Sequence, residues 1–275
     1  MNTEKANPIN IGSVKIGPGC DLVLIAGPCV IESREHTLKL AESIKKIVDQ
    51  LDIPLIFKAS YDKANRSSIN SFRGPGLEAG LAILSDVHMS IGVPVVSDIH
   101  EPEHANLAGQ VLDMLQIPAF LCRQTDLLVA AAKTKRAINL KKGQFVSPEE
   151  MQLAVDKVRG SNNENVLLTE RGTFFGYHRL VNDMTSIPRM ASIAPIVFDA
   201  THSCQLPGQA GFQSGGQREM VPTLARASIA AGANALFLEV HDDPDNAKSD
   251  PATVWPLERL LDLLTTCRDV SKVVQ

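Results

Sequence analysis

From about residue 22 to the C-terminus, short apolar runs rich in β-branched residues alternate with longer segments whose apolar residues recur at helical spacing. This alternation predicts a parallel sheet with crossover helices, because parallel neighbours cannot be joined by a tight turn. Eight strands are expected: Leu22 to Ala26, Pro54 to Lys58, Pro94 to Ile99, Leu112 to Gln116, Ala137 to Lys141, Asn165 to Thr169, Pro195 to Asp199 and Ala235 to Glu239. Their near-continuous apolar character suits strands covered on both faces. Between them lie outer helices, such as His36 to Leu51, where Leu40, Ile44, Ile47, Val48 and Leu51 share one face. A chain of 275 residues suits one (β/α)8 TIM barrel, which takes roughly 250 residues. The expectation is therefore an α/β fold with a single domain over residues 1–275. Residues 1–21 stand outside the repeat, and INIGSVKIGPG reads as a short N-terminal β-hairpin closing the bottom of the barrel. Gly172 to Pro188, in the sixth crossover, predicts a long loop.

Composition narrows the function. Apolar residues at 44% and charged residues at 21% are ordinary for a folded chain. The beginning of the sequence has no basic segment leading into an apolar run, and no stretch approaches the ~18 apolar residues of a membrane span. A cytoplasmic protein without a membrane partner is expected. The five cysteines (Cys20, Cys29, Cys122, Cys204, Cys267) are odd in number and never in C-x-x-C spacing, which favours reduced thiols. A net charge of −4 argues against nucleic acid as a partner.

Active sites of α/β barrels lie at the carboxyl ends of the strands. Seven cations (Lys58, Lys63, Arg66, Arg123, Lys141, Lys142, Arg171) fall at that face of a net acidic chain and predict a site for anions such as phosphate and carboxylate. Closure makes the seventh, eighth and first strands neighbours, so Cys29, His202 and Glu239 converge, with Asp250 in the following loop as a possible fourth member. A thiolate, an imidazole and carboxylates suit Fe(II), Zn(II) or Mn(II) rather than Ca(II). A buried thiol beside a hydrogen-bonded histidine accounts for the same residues without a metal. His100 to His104 matches H-E-x-x-H, but Pro102 is expected to start a helix between the two histidines, which excludes the one-turn spacing of that motif.

The motifs IAGPCVIES, FKASYDKANRSS, SFRGPG, SDIHEP, IPAFLCRQTDLL, KKGQF, TERGTFFGYH, DATHSCQLPG, SGGQRE and EVH…AKSD occur in that order. On these the chain resembles the 3-deoxy-D-manno-octulosonate 8-phosphate synthase family, over about residues 20 to 265. The resemblance implies condensation of phosphoenolpyruvate (PEP) with D-arabinose 5-phosphate and water, giving the eight-carbon sugar acid phosphate and inorganic phosphate, a precursor of lipopolysaccharide. The related synthase that condenses PEP with erythrose 4-phosphate typically reads Lys-Pro-Arg where this chain reads Lys63-Ala64-Asn65-Arg66. A barrel that only binds a phosphorylated metabolite is the non-catalytic alternative.

Cys29 resembles the metal-dependent branch, whose counterpart carries Asn. The resemblance implies one divalent transition metal per subunit, held by Cys29, His202, Glu239 and Asp250. It places Lys141 and Arg171 on the PEP phosphate, Lys58, Lys63 and Gln116 near its carboxylate and reacting end, and Asn65, Arg66 and Ser67 on the sugar phosphate. Lys63, Asn65, His202 and Asp250 are the implied catalytic residues. Arg123 is implied to reach a neighbouring site in a homotetramer. The chain departs from the family in His241-Asp242, where His-Pro is frequent.

Overall fold

The computed structural model describes residues 6–66, 68–210 and 213–274. Eight parallel strands follow the expected order: β1 (Val23–Gly27), β2 (Leu55–Lys58), β3 (Val95–Asp98), β4 (Met114–Ile117), β5 (Ala137–Lys141), β6 (Val166–Glu170), β7 (Ile196–Asp199) and β8 (Ala235–His241). Each pairs with the next, and the sheet closes where β8 pairs with β1 (Ala235 opposite Val23, Glu239 opposite Gly27). The crossover helices are α1 (Arg34–Asp49), α2 (Leu77–Ile91), α3 (Pro102–Val111), α4 (Thr125–Lys133), α5 (Met151–Arg159), α6 (Ser186–Met190), α7 (Val221–Ala230) and α8 (Leu260–Val274).

Boundaries moved by one or two residues from the sequence reading. The start of β4 moves by two residues, because Leu112 caps the C-terminus of α3 instead of starting the strand. Ser33 caps α1 by accepting the amide of His36, and Leu40, Ala41, Ile44 and Val48 form its buried face. Pro102 is the first residue of α3, which leaves His100 outside the helix and removes the H-E-x-x-H geometry. In the sixth crossover, expected as a long loop, Thr173–Phe174 pairs with Leu180–Val181 before the short α6.

Two cores divide the apolar residues. One lies between barrel and helices; the other fills the lower interior with Val23, Ile25, Ile56, Val96, Met114, Ala137, Leu167, Val197, Ala235 and Phe237. The expected hairpin, Ile9–Ile11 paired with Val14–Ile16, adds Ile9, Ile11, Val14 and Ile16 to that inner core and stoppers the amino-terminal end.

Side chains alternate inward and outward with a period of two, so the next inward positions along the strands follow directly. They are Lys58, Asp98, Gln116, Asn139, Thr169, Asp199 and Glu239, with Lys141 above Asn139. The interior thus changes from apolar to polar at one level around the barrel, and the polar level faces the strand ends. At the inward position of β1 stands Gly27, where any Cβ would overlap the Lys58 carbonyl.

Candidate active site at the carboxyl ends of the strands

The polar level opens into a cavity of about 610 Å³, whose lining includes Lys58, Lys63, Arg66, Lys141 and Arg171. These are five of the seven cations expected at this face. Lys142 is a correction. As the residue after inward-facing Lys141 it turns out of the barrel, buried against Thr173 Oγ1 (3.0 Å) and the carbonyls of Gly143 and Val146. Arg123 is exposed and lies outside the cavity lining, with its carbonyl accepting from Lys157 Nζ at 3.0 Å. Asn65 lines the opening, whereas Ser67 lies outside the described residues.

Burying lysines costs free energy unless carboxylates accompany them. Three inward carboxylates do so. Glu239 Oε1 accepts from Lys58 Nζ at 2.9 Å, with Lys63 Nζ at 3.6 Å. Asp199 Oδ2 accepts from Lys141 Nζ at 2.7 Å and from His202 Nδ1 at 2.6 Å. Asp98 accepts from Ser60 Oγ at 2.5 Å and from Gln116 Nε2. Burial by itself pushes all three carboxyls up, but His202 and the surrounding lysines hold Asp199 and Glu239, and the lysines Asp98, well below the usual carboxylate range. Lys141 Nζ also stands 4.0 Å from the centre of the Phe237 ring.

Gln116 is buried beside Asp98, its register partner on the next strand, and is not part of the cavity lining. Its orientation is set by a directional chain across the sheet: Thr169 Oγ1 donates to Asn139 Oδ1 (2.6 Å), and Asn139 Nδ2 donates to Gln116 Oε1 (3.0 Å). That leaves the Gln116 amide nitrogen to face Asp98.

Next to Lys58 and Lys63, ligand atoms of Cys29, Glu239 and Asp250 lie within 4.8 Å of one another. Cys29 Sγ donates to Asp250 Oδ2 at 3.1 Å and is 2.7 Å from Ser249 Oγ. His202, the fourth residue expected here, stands beside the trio with Nε2 3.5 Å from Glu239 Oε1. Its Nδ1 pairs with Asp199 Oδ2 at 2.6 Å, which turns Nε2 toward the Glu239 carboxylate. A carboxylate behind the far nitrogen is the usual support of a metal-bound histidine. Glu239 Oε2 is buried and has no hydrogen-bond partner among the described residues. Burial, and then Glu239, push the Cys29 thiol well above its ordinary value, so this thiol keeps its proton until a cation replaces it. The donor set and the orphaned oxygen both fit a divalent transition metal.

Several residues at or beside the cavity carried no role in the sequence reading. Asp199 anchors both Lys141 and His202, and its inward position in β7 is the signal that could have found it. Arg171 Nη2 donates to Gln205 Oε1 at 2.7 Å, and Gln205 Nε2 donates to Asp250 Oδ1 at 2.9 Å, which links Arg171 to the trio. Lys248 lines the opening with Nζ 4.7 Å from the Phe72 ring centre. Cys204, read as structural, is buried and donates to the Ala200 carbonyl at 3.2 Å.

Comparison with known proteins agrees in extent with this architecture. The DAHP synthetase I family matches residues 3–275. The chain is 59% identical over 268 residues to a 2-dehydro-3-deoxyphosphooctonate aldolase of Trichlorobacter lovleyi, covering 97% of this chain and 98% of that protein. Proteins of the same description match from Koribacter versatilis (56% over 270 residues, 97% of each chain) and Synechococcus sp. (55% over 259 residues, 94% of this chain and 90% of that one).

Proposed function

The chain belongs to the DAHP synthetase I family, and from that premise we propose that it condenses PEP with D-arabinose 5-phosphate and water to give 3-deoxy-D-manno-octulosonate 8-phosphate and inorganic phosphate. The observation that carries this reading is one cavity lined by Lys58, Lys63, Arg66, Lys141 and Arg171, with Asp250 of the thiol–carboxylate trio on its lining and Glu239 of the trio against Lys58 and Lys63. The names of the relatives favour the octulosonate reaction over its erythrose 4-phosphate counterpart. So does Lys63-Ala64-Asn65-Arg66, all of which line the cavity.

In this reading Arg171 and Lys141 hold the PEP phosphate. Arg171 Nη1 is buried without a partner among the described residues, and a phosphate oxygen completes it. Lys58 and Lys63 face the PEP carboxylate and reacting carbon, with Gln116 supporting them through Asp98. Arg66, Asn65 and Ser67 take the sugar phosphate; Arg66 Nη2 is likewise buried and unpaired among the described residues. C3 of PEP forms a bond to the aldehyde carbon, water adds at C2, and the phosphate leaves C2 with its bridging oxygen. Holding two anions in one orientation supplies most of the acceleration, and such positioning is worth about 7 to 11 kcal/mol in well-oriented systems.

The chain also carries the residues of the metal-dependent branch. Cys29, Glu239, Asp250 and His202 would hold one Fe(II), Zn(II) or Mn(II). That ion supplies a Lewis acid for the aldehyde oxygen or for the attacking water. Lys63, Asn65, His202 and Asp250 are the side chains we assign to the reacting groups.

Arg123 is exposed and lies outside the lining of its own cavity, and Phe120, Phe145 and Phe175 are exposed. These features support a homotetramer in which Arg123 serves a neighbouring site. The test is product identity. Incubation with PEP and arabinose 5-phosphate gives the eight-carbon product by NMR and mass, and preferential use of erythrose 4-phosphate would reject the assignment.

A further inference from the structure

Cys29 and Asp250 come from different loops, one after β1 and one after β8, yet their side chains meet at 3.1 Å. Three residues after Cys29, Glu32 places a single carboxylate oxygen, Oε1, against both ends of the second loop. It accepts from His241 Nε2 at 3.2 Å, at the end of β8, and from the backbone N–H of Lys248 at 2.8 Å, two residues before Asp250. The His241 ring is fixed from its other side, because the backbone N–H of Asp243 donates to Nδ1 at 2.9 Å and leaves the ring proton on Nε2, turned to Glu32. His36, in the first turn of α1, adds a contact from Nε2 to Asp242 Oδ1 at 2.9 Å.

We propose that Glu32 is a positioning residue that docks the 242–250 loop onto the loop bearing Cys29 and so sets the spacing of the Cys29–Glu239–Asp250 trio. Glu32 stands just before α1, where the helix amino end favours a negative charge. Asp250 itself has a left-handed backbone, φ +50°, a conformation that persists only where the surroundings hold it. The two bonds to Glu32 are charge-assisted and therefore among the stronger restraints on this loop.

Glu32, His36 and His241 also lie close enough together to suggest a second cation site. The hydrogen-bond pattern disfavours it. With Asp243 occupying Nδ1, the His241 nitrogen that faces Glu32 carries a proton and offers no lone pair.

The metal consequence of the proposal rests on the metal reading above, so its first test needs no metal. In the metal-stripped full-length protein Cys29 is covered by Ser249 and Asp250. Its alkylation by iodoacetamide, followed by peptide mass, reports loop opening, with buried Cys204 and Cys267 reporting global unfolding. Glu32→Ala should speed Cys29 modification about tenfold or more while the two controls stay protected. Glu32→Gln, whose carbonyl can still accept both bonds, should stay near wild type. An unchanged Cys29 rate in the alanine variant overturns the proposal whether or not the protein holds a metal. Chelator competition for Zn(II) then gives the second readout. Glu32→Ala should weaken affinity about 10- to 100-fold, the range for groups that orient ligands, and Glu32→Gln should restore it. Failure of the wild type to bind Zn(II) rejects the metal reading and leaves the alkylation result to decide. A second equivalent of Zn(II), lost in the alanine variant, would make the cluster a cation site and overturn the clamp.

Discussion

Lys58→Met, in metal-free protein, probes the charge balance that holds the mouth of the barrel together. Lys58 Nζ stands 2.9 Å from Glu239 Oε1, and the two side chains are 1% and 0% exposed. Methionine keeps the apolar stem and removes the charge together with the hydrogen bond to the Cys29 carbonyl (2.9 Å), leaving Glu239 buried beside Lys63 at 3.6 Å and His202 at 3.5 Å. Breaking a buried pair typically costs about 3–5 kcal/mol; the two remaining neighbours put the expectation near the lower end, about 3 kcal/mol. That is a large part of the roughly 5–15 kcal/mol by which a domain is stable. Glu239→Gln should cost a similar amount, since it strands Lys58. Lys58→Met combined with Glu239→Gln should cost about 2 kcal/mol less than the sum, because neither variant group then opposes a bare charge. Urea unfolding can be followed by the fluorescence of the single tryptophan, buried Trp255, and by far-UV circular dichroism. Additivity within about 0.5 kcal/mol, or a loss below about 1 kcal/mol for Lys58→Met, refutes the buried-pair reasoning.

Steady-state kinetics should separate the two anion sites: Arg171→Met raises KM for PEP, and Arg66→Met raises KM for the sugar phosphate, each by about 10- to 100-fold. Equal effects on both substrates would contradict separate sites. Burial pushes the Cys204 and Cys267 thiols up to about 12, so neither should react with iodoacetamide at pH 8 until the chain unfolds. Asp98→Asn tests linkage. The native carboxyl is held below its ordinary value, so its stabilising contribution is present above the unfolded value of about 3.9 and lost as pH falls through the lowered native one. The stability gap between wild type and variant should therefore be constant from pH 5 to 8 and shrink below about pH 4; a gap unchanged at pH 3 would contradict this.

Period and composition made most of the barrel readable from sequence, since each strand is an apolar run long enough to cross a covered sheet. Strand ends were harder, as at Leu112, because a helix cap and a strand start draw on the same apolar residues. The site was legible where chemistry marked it: Lys141, Arg171 and the thiol–carboxylate trio are unusual groups at predicted strand ends. It was less legible where direction decides. Lys141 and Lys142 look alike in sequence, and only the inward or outward phase of β5 separates a cavity lysine from a buried structural one. Asp199 was read as the last residue of a strand, though it anchors both Lys141 and His202. Glu32 and Lys248 meet through a backbone amide, and a contact of that kind across 216 residues leaves no pattern in one sequence.

Phosphate release from PEP with arabinose 5-phosphate, measured on protein stripped by a strong chelator and checked by elemental analysis, joins the trio to the reaction. The rate should fall to roughly a hundredth or less and return with one equivalent of Zn(II), Mn(II) or Fe(II) per chain. A full rate in verified metal-free protein would contradict the assignment of Cys29, Glu239, Asp250 and His202 to a metal.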